Sequence, residues 1–441
     1  MRPWDIAIIG GGILGTTAAY WLAARYEARI AVLEQEADVA QHASGRNTGV
    51  LHRPFYLHPR WSRRFARSTL LSYDLWKAYA RTHGLPWKPV GTLKLAIRED
   101  QLPTLHTYLT WAKANGLTED EVTLLDEPEL RGLEPNVRAV GALHAKRETS
   151  VDFGGFTRQL RNDASGFGVQ FLTGRRVVGL APTRDGLRID LASEDQPHQA
   201  RYVLNCAGGE AVDLAHRLGV GTRYADLHFR GEYWRVAPQA QELASTNLYP
   251  VAQFPEFPFL DPHWIVRASG AVGIGPNAVP VSGPWTYRGF SDRTGGWARK
   301  FLEDPLPNKG RLLRNPTFLR LALGESLGSL SPLLIADRVR RFLPTLPDGA
   351  LTERGVAGVR SAVIDPDGQF VKEVLELPGP NSLHILNYNS PGASGAPAYT
   401  ASLIARAAAR GDLDHLRVRA REPEIPWDFE NTVAELEGPV E

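Results

Sequence analysis

This sequence predicts a two-lobed α/β protein, with one lobe wound around a parallel sheet and a second α+β lobe built on an antiparallel sheet. Three observations predict it. The chain opens on a strand, a glycine turn, a helix and a second strand, all between Asp5 and Glu34. A later apolar run, 202–205, ends in Cys206-Ala-Gly-Gly209, the small residues of a strand-to-helix turn. From Ala225 the texture changes to short strand-like runs alternating with proline-rich loops, which suits an antiparallel sheet.

Residues 6–9 are an unbroken apolar run, as in a strand buried on both faces. Gly10, Gly12 and Gly15 follow in the spacing G-x-G-x-x-G, and 16–24 reads as a helix. Gly10 permits the tight turn, Gly12 lets the backbone approach a pyrophosphate, and Gly15 lets helix and strand pack closely. The helix start offers unpaired N–H groups and a positive dipole end to phosphate. Residues 29–33 make the next strand. Glu34 closes it about 20 residues beyond the glycines, where a carboxylate accepts hydrogen bonds from ribose hydroxyls. The five features in order point to a bound dinucleotide and a Rossmann-like domain.

The stretch 43–58 has a loop composition rich in Gly, Ser, Asn and His. Residues 61–82 have helical spacing with basic residues on one side, 91–97 reads as a strand, and 100–115 as a helix stopped by Gly116. Leu125-Asp-Glu-Pro-Glu-Leu130 looks like a capped helix start with proline in the first turn. A helix is expected over 153–164, one alternating strand over 169–180 and another over 186–191. Strand-like runs at 230–236, 264–266 and 271–274 precede a mostly helical region, 297–342. Residues 355–369, 384–387 and a helix over 397–410 are expected to return to the nucleotide lobe. The resulting division is 1–85, 150–224 and 345–411 for a discontinuous nucleotide-binding domain, with 86–149 and 225–344 for the second domain. The tail, 412–441, is polar and is expected to lie on the surface or fray.

With 441 residues, 43% hydrophobic and 22% charged, the chain has enough material for two cores. A net charge of +1 argues against a nucleic-acid partner. The single cysteine, Cys206, excludes an internal disulfide and a multi-cysteine metal site, and no metal is expected. The fingerprint begins at Asp5 and no apolar run reaches the ~20 residues of a membrane span. A cytoplasmic location is expected. The basic residues Arg60, Arg63, Arg64 and Arg67 read as an ordinary solvated helix face, with peripheral contact with an anionic membrane face as the alternative.

The first fingerprint serves NAD and FAD alike, and three later segments favour FAD. Small residues follow the 202–205 strand. Leu386-Asn-Tyr-Asn-Ser-Pro-Gly-Ala-Ser-Gly395 sets a second helix N-terminus where it can stabilise negative charge on a reduced flavin ring. Ala43-Ser-Gly-Arg-Asn-Thr-Gly-Val-Leu-His52 falls where a loop would pass beneath that ring.

At Asn47-Thr-Gly-Val-Leu-His52, Phe229-Arg-Gly-Glu-Tyr233, Tyr249-Pro250 with Pro258-Phe-Leu260 and His263, and Gly275-Pro-Asn-Ala-Val279, the chain resembles the L-2-hydroxyglutarate dehydrogenase/oxidase branch of the D-amino-acid-oxidase-like flavoproteins. Ala357-Gly-Val-Arg360 with Asp365-Pro-Asp-Gly368, and Ser390-Pro391, complete the set, which extends to about Ala408. The resemblance implies oxidation of a 2-hydroxy acid to a 2-oxo acid by hydride transfer to FAD, with electrons passing to a quinone, another acceptor or oxygen. The alternatives are an amine or amino-acid oxidase acting on a C–N bond, and a flavoprotein without turnover. Expected FAD contacts are Gly10, Gly12, Ile13, Leu14, Gly15, Glu34, Gln35, Ser44, Arg46, Asn47, Thr48, Val177, Ala207, Gly208, Ser390, Pro391, Gly392 and Ala393. His52 is the first candidate base and His263 the second, since neutral imidazole abstracts protons near neutral pH. Arg360 is the expected carboxylate clamp, with an interlobe salt bridge as its alternative, because guanidinium grips a carboxylate through two parallel hydrogen bonds. Tyr233 and Arg230 are expected beside them, with a structural role as the equal alternative for Arg230, and Cys206 as packing. The chain departs from the family at Arg53-Pro-Phe-Tyr56, at Val281-Ser-Gly-Pro-Trp-Thr-Tyr287, where basic residues usually stand, and at Leu323-Gly-Glu325. Either Arg53 compensates for a second substrate carboxylate, or the substrate has one carboxylate and a less polar tail meeting Trp264, Trp285 and Tyr287.

Overall fold

The computed structural model describes residues 2–257, 261–421 and 423–438; Pro258-Phe-Leu260 of the family motif lies outside them. Trp4–Ile9 is an inner strand of an eight-stranded sheet. It pairs in parallel with Ile30–Leu33 on one side and His198–Asn205 on the other. Gln170–Leu172 and Ser382–Leu386 extend the parallel set. Gly186–Leu191 and Val177–Thr183 add an antiparallel hairpin at one edge. The apolar run is buried on both faces for a visible reason. Ile6 and Ile8 meet a helical layer that includes Ile13–Arg25 and Gly392–Ala409, while Ala7 and Ile9 pack with Val177, Leu187 and Leu214.

A second eight-stranded sheet carries the other lobe, in the order Leu351–Arg354, Trp234–Val236, Val272–Gly275, His263–Val266, Asn247–Pro250, Thr92–Ala96, Gly141–Ala145 and Val122–Asp126. Its faces differ. Leu93, Leu248, Trp264 and Ile274 enter a core with Ile335 and Phe342 from the helical region. Lys94 and Tyr249, register partners, alternate to the opposite face. The helix expected near 125–130 is Glu127–Leu133; Asp126 accepts the Glu129 N–H at 2.9 Å and proline sits in its first turn.

Two small sheets position the site. Val50–Leu51 pairs with Thr149–Val151, and the Leu51–Thr149 register sets His52 beside Glu148. Gly358–Ile364 pairs antiparallel with Ala225–Gly231, which places Arg360 opposite Phe229. This last strand falls in the segment 355–369. It joins a three-stranded sheet with Val279–Val281 instead of the parallel sheet, and Leu351–Arg354 sits at the edge of the second large sheet. Both pairings are antiparallel contacts distant in sequence, which local apolar patterning does not encode. The expected strand 169–180 is two strands, broken by a turn with Gly174 at φ 67°.

The described part of the tail is packed against the rest of the molecule. Arg417–Val418 pairs with Tyr26–Glu27, and Phe429–Glu437 is a helix. Trp427 and Phe429 are buried, with the Trp427 ring 5.1 Å from Tyr20 and 5.3 Å from Trp21. Full burial of one such ring is worth roughly 2–3 kcal/mol, enough to anchor a short polar segment. Two isolated aromatics in a charged stretch gave no periodic signal.

Candidate active site

A cavity of about 400 Å³ is walled by the glycine turn, the 43–52 loop, the second sheet and the start of Gly392–Ala409. Gly10 has φ 105°, and a Cβ there would lie 2.5 Å from the Cys206 carbonyl oxygen. Gly12 precedes Ile13–Arg25 with no side-chain cap on the helix. Gly392–Ala409 likewise starts uncapped, with Ser390, Pro391, Gly392 and Ala393 in the wall. Two helix N-termini with free N–H groups thus open on one cavity. Glu34 accepts the Gly11 N–H at 2.7 Å and the Glu36 N–H at 2.9 Å, which fixes its carboxylate in the wall. Ser44 accepts the Ile13 N–H at 2.9 Å. The Asn47 amide donates to the carbonyls of Ala43 and Ser44, holding the loop, and Arg46 lies over the Tyr287 ring at 4.1 Å. Leu14, Gln35, Thr48, Val177, Ala207 and Gly208 complete this part of the wall. Gly15 does not reach it. Its Cβ would meet the Gly10 carbonyl oxygen at 2.1 Å, so it serves helix–strand packing alone. A cradle that side chains would fill, between two helix N-termini, fits an FAD molecule.

The same cavity gathers His52, His263, Arg360 and Tyr233. The His52 N–H donates to Ser394 Oγ at 2.9 Å. Its Nδ1 lies 3.1 Å from both carboxylate oxygens of Glu148, which is fully buried and also accepts the Arg53 N–H at 2.9 Å. An acceptor at Nδ1 assigns the ring proton to that atom and leaves the Nε2 lone pair free for a base. His263 stacks on Tyr249 at 3.9 Å, and its Nδ1 is buried with no hydrogen-bond partner. Burial, reinforced by the charges of Lys94, His52 and Arg338, holds its pKa well below the imidazole range, so it stays neutral. Burial pushes the Tyr233 phenol up to about 12, so it keeps its proton.

Arg360 has no carboxylate partner among the described residues, and its Nε is buried without a hydrogen bond. Desolvation lowers its pKa against a small opposing effect of Tyr56. Among the described residues the interlobe salt bridge is therefore absent. Other expectations fail for stated reasons. Arg53 lies outside the wall; its guanidinium donates to Glu121 at 2.7 Å and to the Leu70 carbonyl at 3.2 Å. Arg230 is committed to Glu232 at 3.0 Å and to the carbonyls of Thr286 and Gly289. Trp264 faces the core, donating to the Ala244 carbonyl at 3.2 Å. Trp285 does line the cavity, whereas Tyr287 approaches it through its 2.5 Å hydrogen bond with His42. Cys206 lines the wall, and burial raises its thiol pKa far above the ordinary value, so it stays protonated.

Glu148 is the functional residue that sequence reading misses. In Lys146-Arg147-Glu148 it resembles a solvated turn, and only the pairing of two short strands brings it to His52. Glu148→Gln offers an amide that can present N–H to Nδ1 and so favours the wrong tautomer. The rate of flavin reduction is expected to fall on the order of 100-fold, measured by anaerobic stopped-flow, with FAD content retained.

A profile described as FAD dependent oxidoreductase matches residues 5–407. The chain belongs to that family. This FAD dependent oxidoreductase is similar to L-2-hydroxyglutarate dehydrogenase of Escherichia coli strain K12, with 29% identity over 410 residues, 91% of this chain and 93% of that protein. It is also similar to the human mitochondrial L-2-hydroxyglutarate dehydrogenase, at 27% identity over 409 residues, 89% of this chain and 86% of that one. Among solved structures, L-alpha-glycerophosphate oxidase from Mycoplasma pneumoniae with FAD bound superposes with a TM-score of 0.73 at 20% identity, covering 97% and 100% of the two chains. Glycine oxidase from Geobacillus kaustophilus gives 0.69 at 18% identity, covering 93% and 95%. These two neighbours share the fold, and the FAD dependent oxidoreductase family supplies the cofactor and the reaction class.

Proposed function

We propose that this FAD dependent oxidoreductase oxidises a 2-hydroxy acid of the L-2-hydroxyglutarate kind to the 2-oxo acid. The observation that carries the reading is a half-buried guanidinium, Arg360, whose Nε is buried without a hydrogen bond and which has no carboxylate partner among the described residues, in the cavity that also holds the His52–Glu148 pair. An uncompensated buried cation is costly, and a substrate carboxylate removes the cost. Arg360 grips the carboxylate. His52 Nε2 accepts the hydroxyl proton, and Glu148 stabilises the imidazolium that forms. Neutral His263 and protonated Tyr233 border the site without competing for the carboxylate. FAD, when bound, supplies the acceptor for the hydride that leaves C2. The expected contacts from Gly10 to Ala393, Gly15 excepted, are the residues proposed to hold it. Turnover with an artificial dye tests the reaction. L-2-Hydroxy acids should be oxidised at least ten times faster than the matching L-amino acids; the opposite order would make the enzyme an amine-type oxidase.

The final acceptor in this proposal is a quinone or oxygen, and the quinone route calls for contact with a membrane. Among the described residues no single helix is long and apolar enough to cross one. The basic helix face weighed for lipid contact is partly engaged by the tail: Arg67 donates to the carbonyls of Glu435 and Gly438, and Arg64 approaches Glu437 at 3.6 Å. An apolar surface stands elsewhere. Leu319, Leu323, Leu327, Leu330, Leu333 and Leu334 are exposed along Pro316–Gly328 and Pro332–Arg340, near exposed Arg314, Arg320 and Arg341. Leucines rimmed by arginine suit an anionic bilayer. The protein is expected to sediment with anionic liposomes at low salt, and Leu323→Glu with Leu327→Glu to abolish it. Sedimentation unchanged by the pair would reject this surface.

A further inference from the structure

The face of the second sheet that borders the cavity carries one more cation. Lys94 lies directly across from Tyr249 in the strand register, and Tyr249 stacks on His263 at 3.9 Å. Neighbouring strands are about 4.8 Å apart, so Lys94 stands roughly 10 Å, two strands over, from the His263 backbone. Tyr249 and His263 both line the cavity, and Lys94 follows them in the row on the same sheet face, just beyond the lining residues. The Lys94 ammonium is within electrostatic reach of Glu148, the partner of His52.

Among the described residues Lys94 makes no hydrogen bond or ion pair. The carboxylates near it are committed elsewhere. Asp261 pairs with Arg338 at 3.0 Å, and Glu148 accepts from His52 and the Arg53 N–H. Burial pulls the lysine pKa down to about 8 against the attraction of Asp261 and then Glu148. An isolated, half-buried ammonium with no function is an unfavourable arrangement that a core leucine or methionine would relieve.

We infer that Lys94 forms the subsite for a second, distal carboxylate, so that the cavity selects dicarboxylic 2-hydroxy acids with Arg360 at one end and Lys94 at the other. The inference rests on the proposed 2-hydroxy-acid chemistry for the orientation of the substrate. It also supplies the cation that the sequence lacks after Val279 and that Arg53, bound to Glu121, does not provide. A lysine that merely compensated Glu148 would affect every substrate through His52. A subsite lysine discriminates between substrates by their far ends.

The test is an equilibrium titration of the FAD-loaded protein, following perturbation of the oxidised flavin spectrum, with 2-oxoglutarate and with 2-oxopentanoate. The two acids have the same length and differ by the distal carboxylate. The wild type should prefer the diacid on the order of 100-fold. Lys94→Met should collapse that ratio to within a few-fold, and Lys94→Arg should restore part of it, with FAD content equal in all three proteins. Equal affinity of the wild type for both acids would overturn the subsite, as would a ratio that Lys94→Met leaves intact, or failure of 2-oxoglutarate to bind. Because the titration needs no turnover, a Lys94-dependent preference in a protein that oxidises no 2-hydroxy acid supports the subsite and rejects the proposed reaction.

Discussion

His52→Gln is expected to lower the rate of flavin reduction by 2-hydroxy acids about 1,000-fold, while leaving FAD content unchanged. A positioned general base contributes roughly 100- to 10,000-fold, and glutamine offers no basic nitrogen. Imidazole is held here from three sides. Its backbone N–H donates to Ser394, its Nδ1 faces the Glu148 carboxylate at 3.1 Å, and the rings of Tyr56 and Tyr249 meet it edge-on at 5.9 and 5.8 Å. Only Nε2 is then left for chemistry. Because Glu148 acts through His52, the double variant His52→Gln/Glu148→Gln should be no slower than His52→Gln alone. Multiplied losses would mean that the two residues act separately. A His52→Gln enzyme within tenfold of the wild type would move the base to His263, whose neutral state makes it the next candidate.

Arg360→Met is expected to reduce kcat/KM about 1,000-fold, most of it through KM, since truncating one partner of a buried charge pair costs roughly 2–5 kcal/mol. Arg360→Lys should recover only part of the loss, because an ammonium presents a point charge where the guanidinium presents a planar fork. The same substitution has an opposite expected effect on the free protein. Arg360 is desolvated and unpaired, so methionine removes a buried charge that nothing compensates. Thermal unfolding of the holoprotein without substrate should therefore be unchanged or higher in Arg360→Met. Loss of activity with loss of stability would point to a structural arginine instead. Gain or parity of stability with loss of substrate binding would mark a residue kept for function at a structural cost.

The cofactor half of the site is legible in the sequence because its requirements are local. A tight turn at Gly10, a close approach at Gly12 and an acid at the end of the next strand all fall within thirty positions of one another. The second helix start at Ser390–Ala393 is legible for the same reason: its small residues and its helix are contiguous. The reacting half is built from strand pairings between distant segments. Arg360 reaches the cavity because Gly358–Ile364 pairs with Ala225–Gly231, about 130 residues earlier in the chain. Glu148 reaches His52 through a two-residue strand too short to show a period. Arg53 shows the converse failure. Its position beside His52 suggested a substrate contact, but alternate residues of an extended segment point apart, and it turns to Glu121. Lys94 sits in an apolar strand where its charge reads as an exception, and only the sheet register reveals that it stands beside Tyr249 of the cavity wall.

The most direct measurement is an anaerobic visible spectrum of the purified, FAD-loaded protein before and after addition of L-2-hydroxyglutarate. Bleaching of the oxidised flavin bands, with one 2-oxoglutarate formed per flavin reduced, is the predicted result. A fully loaded protein that stays yellow with this acid and with a panel of other 2-hydroxy acids would contradict the proposed reaction.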